Sequence, residues 1–521
     1  MKTKTRLMAI SALIFVLALI VYEGGIAQQR QAPPPEYKEL MVATQIKDAA
    51  LRLKELERVK AAYPKSQFMM WIDRGILSAK IELAEGLPAV LALQKEFLAK
   101  AAGPDRVGSP FEAADQILHH PKLKTFSATD VLNAVLKYKE DSLKALEDPG
   151  SFQGVPQDQQ KFFKSYYATG FDILAAQAYL NAGDTSKAMT ALESYQKAGG
   201  TKDGTYSGTL GGVLARQGKT KEAYEAYLAA AADNNAEALT EAKALYTKLN
   251  GRADGFEAAL EAKLKALPYT PPPFQAPAEW KGKAVLVELF TGSECPPCVG
   301  ADLGFDGLIE TYPAKYLAVL EYHLPIPRPD PMINPATKTR QDYYGVNSTP
   351  TVVVDGEKDN SGGGPRGLAE AKFQQYKAAV DGRLAAVPAV TMKLKAIWAG
   401  DTVKIAAECT GTAPGAEYYA VLVQREEKFK GSNGLMVHKM VVRDILALDP
   451  RPAAQASFDL AASELRTDQY LTDFEKTYTR VKDFKFAERH HKIDRSRLRV
   501  VLFAQEKETK KVLNAVVAEV K

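Results

Sequence analysis

KAVLVELF at 283–290, TGSE at 291–294 and CPPC at 295–298 form the stretch whose reading decides the fold. The first segment is a short apolar run interrupted by one carboxylate, Glu288, and predicts a strand buried on both faces. The second is a turn. Beyond Cys298, apolar residues recur at helical spacing as far as Tyr312, so the cysteines fall where a strand hands over to a helix. Thiol–disulfide exchange needs a thiolate, and a free cysteine has a pKa of about 8.5. The unpaired N–H groups at a helix start favour negative charge and lower that value. A two-residue spacer sets Cys298 one turn inward, close enough to attack a mixed disulfide on Cys295 and release a substrate. Pro297 costs no helix bond in a first turn, whereas Pro296 removes one further N–H.

Outward from the motif, a second buried strand runs from Tyr316 to Tyr322 and a short helix from Pro335 to Tyr344. Then come Val346-Asn347-Ser348-Thr349-Pro350, a strand at Thr351 to Val354, a turn at Asp355-Gly356 and a helix from Arg366 to about Ala385. Strand, Cys-x-x-Cys, helix, strand, helix, Thr-Pro, strand, helix: this order resembles the thioredoxin fold over residues 281–386. The resemblance implies that Cys295 attacks and Cys298 resolves. It also implies a cis Pro350 packed over the cysteines, with Thr349 offering backbone groups to a bound peptide. Thr349, Pro350, Pro296 and Pro297 are thus the residues expected to meet a substrate. Glu288 lies near where thioredoxins keep a buried, proton-exchanging acid. Two departures stand out: one extra residue separates Glu288 from Cys295, and no Trp precedes the motif.

Two metal readings compete at the motif. A structural zinc site needs about four ligands, and beyond this pair the chain offers only Cys409, in a predicted strand where it reads as a small buried hydrophobe. Copper(I) would suit Cys295, Cys298 and His323 together, though copper carriers of thioredoxin type space their cysteines by three residues. The plainer reading of His323 is a strand-end residue bonded to a loop carbonyl. The adjacent pairs His119-His120 and His490-His491 cannot share one face of an element. No metal site and no cofactor is therefore expected. Ser361-Gly362-Gly363-Gly364-Pro365 lacks the ending of a phosphate loop and reads as a flexible turn.

The N-terminus carries Lys2, Lys4 and Arg6, an apolar run from Leu7 to Tyr22, and small residues at Gly25 and Ala27. This is the pattern of a signal peptide at 1–27; the apolar run falls short of the roughly 20 residues of a comfortable span, which speaks against a retained anchor. A periplasmic or secreted protein with no stable membrane span is expected, in a compartment that permits disulfides. Residues 28–35 form a proline-rich leader, and 36–267 is an all-α region cut into short helices by Pro64, Gly86, Pro88, Gly103-Pro104, Pro149-Gly150 and Gly199-Gly200. Leu174–Asp184 with Lys187-Ala188 recurs as Leu210–Lys219 with Glu222-Ala223, a period close to that of tetratricopeptide repeats, which the region resembles. Such helical hairpins stack into a concave, partner-holding face. A proline linker at 268–280 follows, and a second boundary lies near Val387-Pro388.

From Ala389 the pattern alternates, with strand candidates at Val390–Ala396, Val403–Ala407, Tyr418–Gln424, Leu435–Val442, Ala456–Leu460, Leu498–Gln505 and Lys511–Val520. This predicts an antiparallel sandwich of immunoglobulin or fibronectin type over 388–521. Val441-Val442-Arg443-Asp444 and the closing hairpin are also similar to a set of exported bacterial thioredoxin-like proteins. The whole, 521 residues with 46% hydrophobic and 25% charged content, is a multidomain folded protein, and a net charge of +5 is too dilute to indicate nucleic acid. The expected function is an exported thiol–disulfide oxidoreductase acting on protein thiols or disulfides, its repeats and β-domain binding protein partners. The rival is a non-catalytic envelope scaffold.

Overall fold

The computed structural model describes residues 34–411, 413–481 and 483–521. The expected signal peptide at 1–27 and most of the leader lie outside the described residues. Two compact units result, one ending at Ala253 apart from Ala232–Asn234, and the other formed by those three residues with Asp254–Lys521.

The first unit is helical. It contains α1 (Pro35–Thr44), α2 (Ala49–Ala62), α3 (Met69–Leu83), α4 (Leu87–Leu98), α5 (Asp105–Leu118), α6 (Ala128–Glu147), α7 (Gln157–Asn181), α8 (Thr185–Lys197), α9 (Gly204–Arg216), all but the last residue of α10 (Thr220–Ala232), and α11 (Ala236–Asn250). Short polar residues start several of these helices. Asp184 accepts from the Lys187 N–H, and Asp203 from those of Thr205 and Tyr206. Gly183 and Gly218, at φ 86° and 76°, end α7 and α9, which is why the repeat carries glycine there. A Cβ on Gly212 would sit 2.7 Å from Leu180 Cδ2, so the small residue lets these two helices approach. No described helix is long and apolar enough to cross a membrane.

The second unit opens with α12 (Phe256–Lys265), which the sequence places with the helical region. Its C-terminal carbonyls explain the difference: Arg366 donates to those of Lys263, Leu264 and Ala266, at 3.1, 3.0 and 2.6 Å. The proline-rich stretch after it is anchored by its aromatics. Tyr269 donates to Leu303 O, and Phe274 and Trp280 pack on Tyr316.

There follow β1 (Val285–Thr291), α13 (Cys298–Thr311), β2 (Leu317–His323), α14 (Pro335–Tyr344), β3 (Thr351–Val354), β4 (Glu357–Asp359) and α15 (Ala369–Leu384). The chain continues as β5 (Val390–Ala399), β6 (Thr402–Gly411), β7 (Ala416–Lys428), β8 (Val437–Ala447), β9 (Ala453–Asp459), α16 (Leu460–Thr477), β10 (Leu498–Glu506) and β11 (Val512–Glu519). Eight strands make one sheet in the order β11-β10-β7-β8-β2-β1-β3-β4, and β5-β6-β9 make a second. β1 and β2 pair in parallel, β1 and β3 antiparallel, and β8 joins β2 through Glu321 opposite Val441.

The boundary expected at Val387-Pro388 therefore does not divide a domain at 281–386 from a sandwich at 388–521. Strands β7 and β10 are apolar on both faces. Val421, Val423, Val501 and Phe503 join the core around β1 and β2, while Ala420, Leu422, Val500 and Leu502 join one with the β5-β6-β9 sheet. A strand with two apolar faces needs cover on both, and the shared sheet supplies it. Residues 388–521 thus contain a layer pair, but its larger layer belongs equally to the sheet that holds β1.

Helix α16 was not expected among strands. Asp459 caps it by accepting from the Ala462 N–H, and Leu460, Ser463, Thr467 and Leu471 form its buried side. Near its end the buried Glu475 accepts from Lys485, the Phe486 N–H and Arg489, at 2.8, 3.1 and 2.8 Å. Burial alone would raise this carboxyl, but the three donors hold it down from 4.5 to about 2. A depressed carboxyl contributes stability above its unfolded pKa and loses it as pH falls toward the folded value. Glu475→Gln is accordingly expected to flatten the acid side of the stability curve between about pH 4.5 and pH 2, read from urea midpoints.

Candidate functional site

Cys295 and Cys298 are joined in a disulfide, with Cα atoms 5.3 Å apart. Helix α13 begins at Cys298, so Cys295 lies in the turn before it and its carbonyl accepts from the Cys298 N–H at 3.1 Å. Pro296 and Pro297 are exposed at the tip of that turn. Thr349–Pro350 is cis, and the Thr349 hydroxyl donates to Ile326 O at 2.8 Å. The glycine-rich segment 361–365, expected as a free turn, is built into the site. Gly364 N donates to Pro297 O at 2.6 Å and Gly300 N to Gly364 O at 2.8 Å. A Cβ on Gly363 would run into the Pro297 carbonyl and lie 2.5 Å from Pro350 Cγ, so only glycine lets these segments meet.

Both cysteines are nevertheless wholly buried, at 0% exposure. Part of the cover comes from the loop between β7 and β8. Asn433 N donates to Ser293 O at 3.1 Å, and its side-chain amide to Gly292 O and Cys295 O at 3.2 and 3.5 Å. Ser432 Oγ donates to Glu294 at 2.7 Å. Leu435 packs in an apolar cluster with Val299, Leu303 and Ala369. Residues 431–435 thus form a strap on the cysteine turn. Its Ser-Asn-Gly run advertises a turn, but nothing local in the sequence says what that turn touches.

Glu288 is not brought to the cysteines' side of the sheet. Alternate residues of a strand face opposite ways, and Thr291, at the end of β1, donates to Asp302 of α13 at 2.9 Å. Glu288 faces the other side, where Arg340 of α14 binds it through Nε and Nη2 at 2.8–3.0 Å. Tyr322 and Tyr344 also donate to it, at 3.1 and 2.7 Å. The acid on the cysteine side is Asp302, one helical turn beyond Cys298. It is buried, and that burial together with the charge of Glu321 raises its pKa. The i, i+4 spacing from Cys298 was the sequence signal for it.

His323 does not bond a loop carbonyl, and the bonded sulfurs are not its partners. Its Nδ1 meets Asp330 Oδ2 and its Nε2 meets Glu321 Oε1, both at 3.0 Å. Burial pulls the imidazolium down, but the Asp330 charge and the bonds to Asp330 and Glu321 carry it up to about 10. His438 of β8 stacks edge-on to it with ring centroids 4.9 Å apart, and burial followed by the charge of His323 pushes this second ring down to about 3. The Val441–Asp444 segment is structural: Arg443 donates to Gln424 at 3.0 Å and to His490 O at 2.7 Å and pairs with Glu427. Cys409 is buried in β6.

No protein-family model matches the chain, and no curated protein does. Among solved structures it is similar to HBP35 of Porphyromonas gingivalis, with 17% identity over 45% of this chain and 74% of that one. The TM-score is 0.30, too low to assign a shared fold.

Proposed function

We propose that the chain is a thiol–disulfide exchange protein with a thioredoxin-like unit. More particularly, it is an exported oxidoreductase for protein thiols and disulfides, in the periplasm or outside the cell. The observation that carries this reading is the Cys295–Cys298 disulfide at the mouth of α13, with Pro296 and Pro297 exposed. In this oxidised form a substrate thiolate attacks Cys295 Sγ, and the S–S bond breaks with its electron pair leaving on Cys298. A second substrate thiolate then displaces Cys295, so the substrate departs as a disulfide and two electrons stay on the cysteine pair. The reverse sequence reduces a substrate. The peptide would lie along Pro296, Pro297, Thr349 and Pro350, and the helical unit, resembling tetratricopeptide repeats, would hold the partner.

One observation favours a second reading, a scaffold whose disulfide is merely structural: neither cysteine is exposed. Catalysed exchange with a peptide disulfide separates the two. Wild-type protein is expected to accelerate it and Cys295→Ser to fall to the uncatalysed rate; equal rates overturn the proposal. Cys298→Ser is expected to accumulate a mixed disulfide through Cys295 that is visible on a non-reducing gel.

A further inference from the structure

Where β2 and β8 run side by side, three side chains of ligand type converge. One oxygen of Glu321 and one ring nitrogen each of His323 and His438 lie within 4.8 Å of one another. All three residues are buried, at 2%, 1% and 2% exposure. His323 Nε2 and Glu321 Oε1 stand 3.0 Å apart, a separation compatible with two donors sharing one ion at bond lengths of about 2.0–2.2 Å.

The far nitrogens of both rings are tied to acceptors. His323 Nδ1 donates to Asp330 Oδ2 at 3.0 Å, and His438 Nε2 to the Phe429 carbonyl at 3.2 Å. An acceptor on the far nitrogen fixes the tautomer and orients the near one, as in metal-bound imidazoles. Asp330 is itself held by the N–H groups of Ser293 and Met332, at 2.6 and 2.8 Å. We infer that Glu321, His323 and His438 form a binding site for one divalent transition-metal ion of the zinc class, with Asp330 as the outer anchor of His323.

The donor set agrees with this. Glu321 and Asp330 each hold a buried carboxyl oxygen 3.0 Å from a nitrogen of the His323 ring. Two nitrogens and one oxygen suit zinc and its neighbours in the first transition row. The ligands exclude both cysteines, so the inference is independent of any exchange activity.

The test is metal content of the full chain after zinc loading and exhaustive dialysis, with cobalt(II) as a second probe. The expected result is one zinc per chain, lost in His438→Ala and Glu321→Gln and kept in the Cys295→Ser/Cys298→Ser double variant. Cobalt-loaded protein, treated with a thiol reductant that is then removed, should show ligand-field bands and no sulfur-to-metal charge transfer. Failure of wild type to retain zinc overturns the inference, as does retention in a folded His438→Ala. Should the variants fail to fold, the wild-type cobalt spectrum decides: a charge-transfer band from sulfur overturns it.

Discussion

Glu288→Gln is expected to destabilise the second unit by about 3–5 kcal/mol, because it strands a guanidinium where water cannot reach. Arg340 and Glu288 are 1% and 0% exposed, and their charges are satisfied by each other. Arg340 also reaches Gln505 at 3.0 Å and lies over the rings of Tyr343, Tyr344, Tyr419 and Phe503, at 4.8–5.6 Å. The amide keeps the shape and one acceptor but not the charge, so the cation loses its counter-ion without gaining hydration. Urea unfolding followed through Trp280 and Trp398 is the measurement. A companion Glu288→Leu/Arg340→Met variant, which removes both charges, should recover most of the loss. A change below about 1 kcal/mol in Glu288→Gln would mean that the pair is not the buried tie described above. Because Glu288 faces away from α13, its replacement should leave the pH profile of any disulfide exchange in place.

Loosening the strap should have the second large effect. Asn433→Ala removes amide bonds to Gly292 and Cys295, worth about 1–2 kcal/mol together. Leu435→Ala removes an apolar contact against Val299, Leu303 and Ala369, worth about 2 kcal/mol or more. If attack on the buried disulfide requires the strap to lift, the double variant lowers the opening cost by about 3 kcal/mol. Reduction by a small thiol should then quicken by about two orders of magnitude. The check is the rate of disulfide loss at fixed reductant, beside circular dichroism to show retained fold. An unchanged rate would mean that the reagent enters by another route.

The sequence made the local grammar around the cysteines legible. KAVLVELF followed by TGSE and CPPC is a strand, a turn and a helix start in structure as in pattern, because each signal is carried by neighbours along the chain. What could not be read depends on residues far apart. Arg340 meets Glu288 across 52 positions, and Asn433 meets Gly292 across 141. Neither pairing leaves a periodic trace. Periodicity did mark β7 and β10 as strands, but near-continuous apolar runs such as Ala420–Val423 carried a further message. They signalled cover on both faces, and so a shared sheet rather than a free-standing sandwich. Likewise His438, a lone imidazole within an apolar strand candidate, was the available clue to the cluster with His323. Helix α16 hid because its buried side includes Ser463 and Thr467, which weaken the apolar stripe.

The junction of β8 with β2 has a practical corollary for anyone wishing to cut this gene into modules. Excising the cysteine-bearing segment at Pro388 would strip β2 of its neighbour and leave a bare row of peptide groups beside a greasy slab. Such a fragment would invite foreign strands to stick. The smallest portable piece is therefore the one that carries its C-terminal strands along.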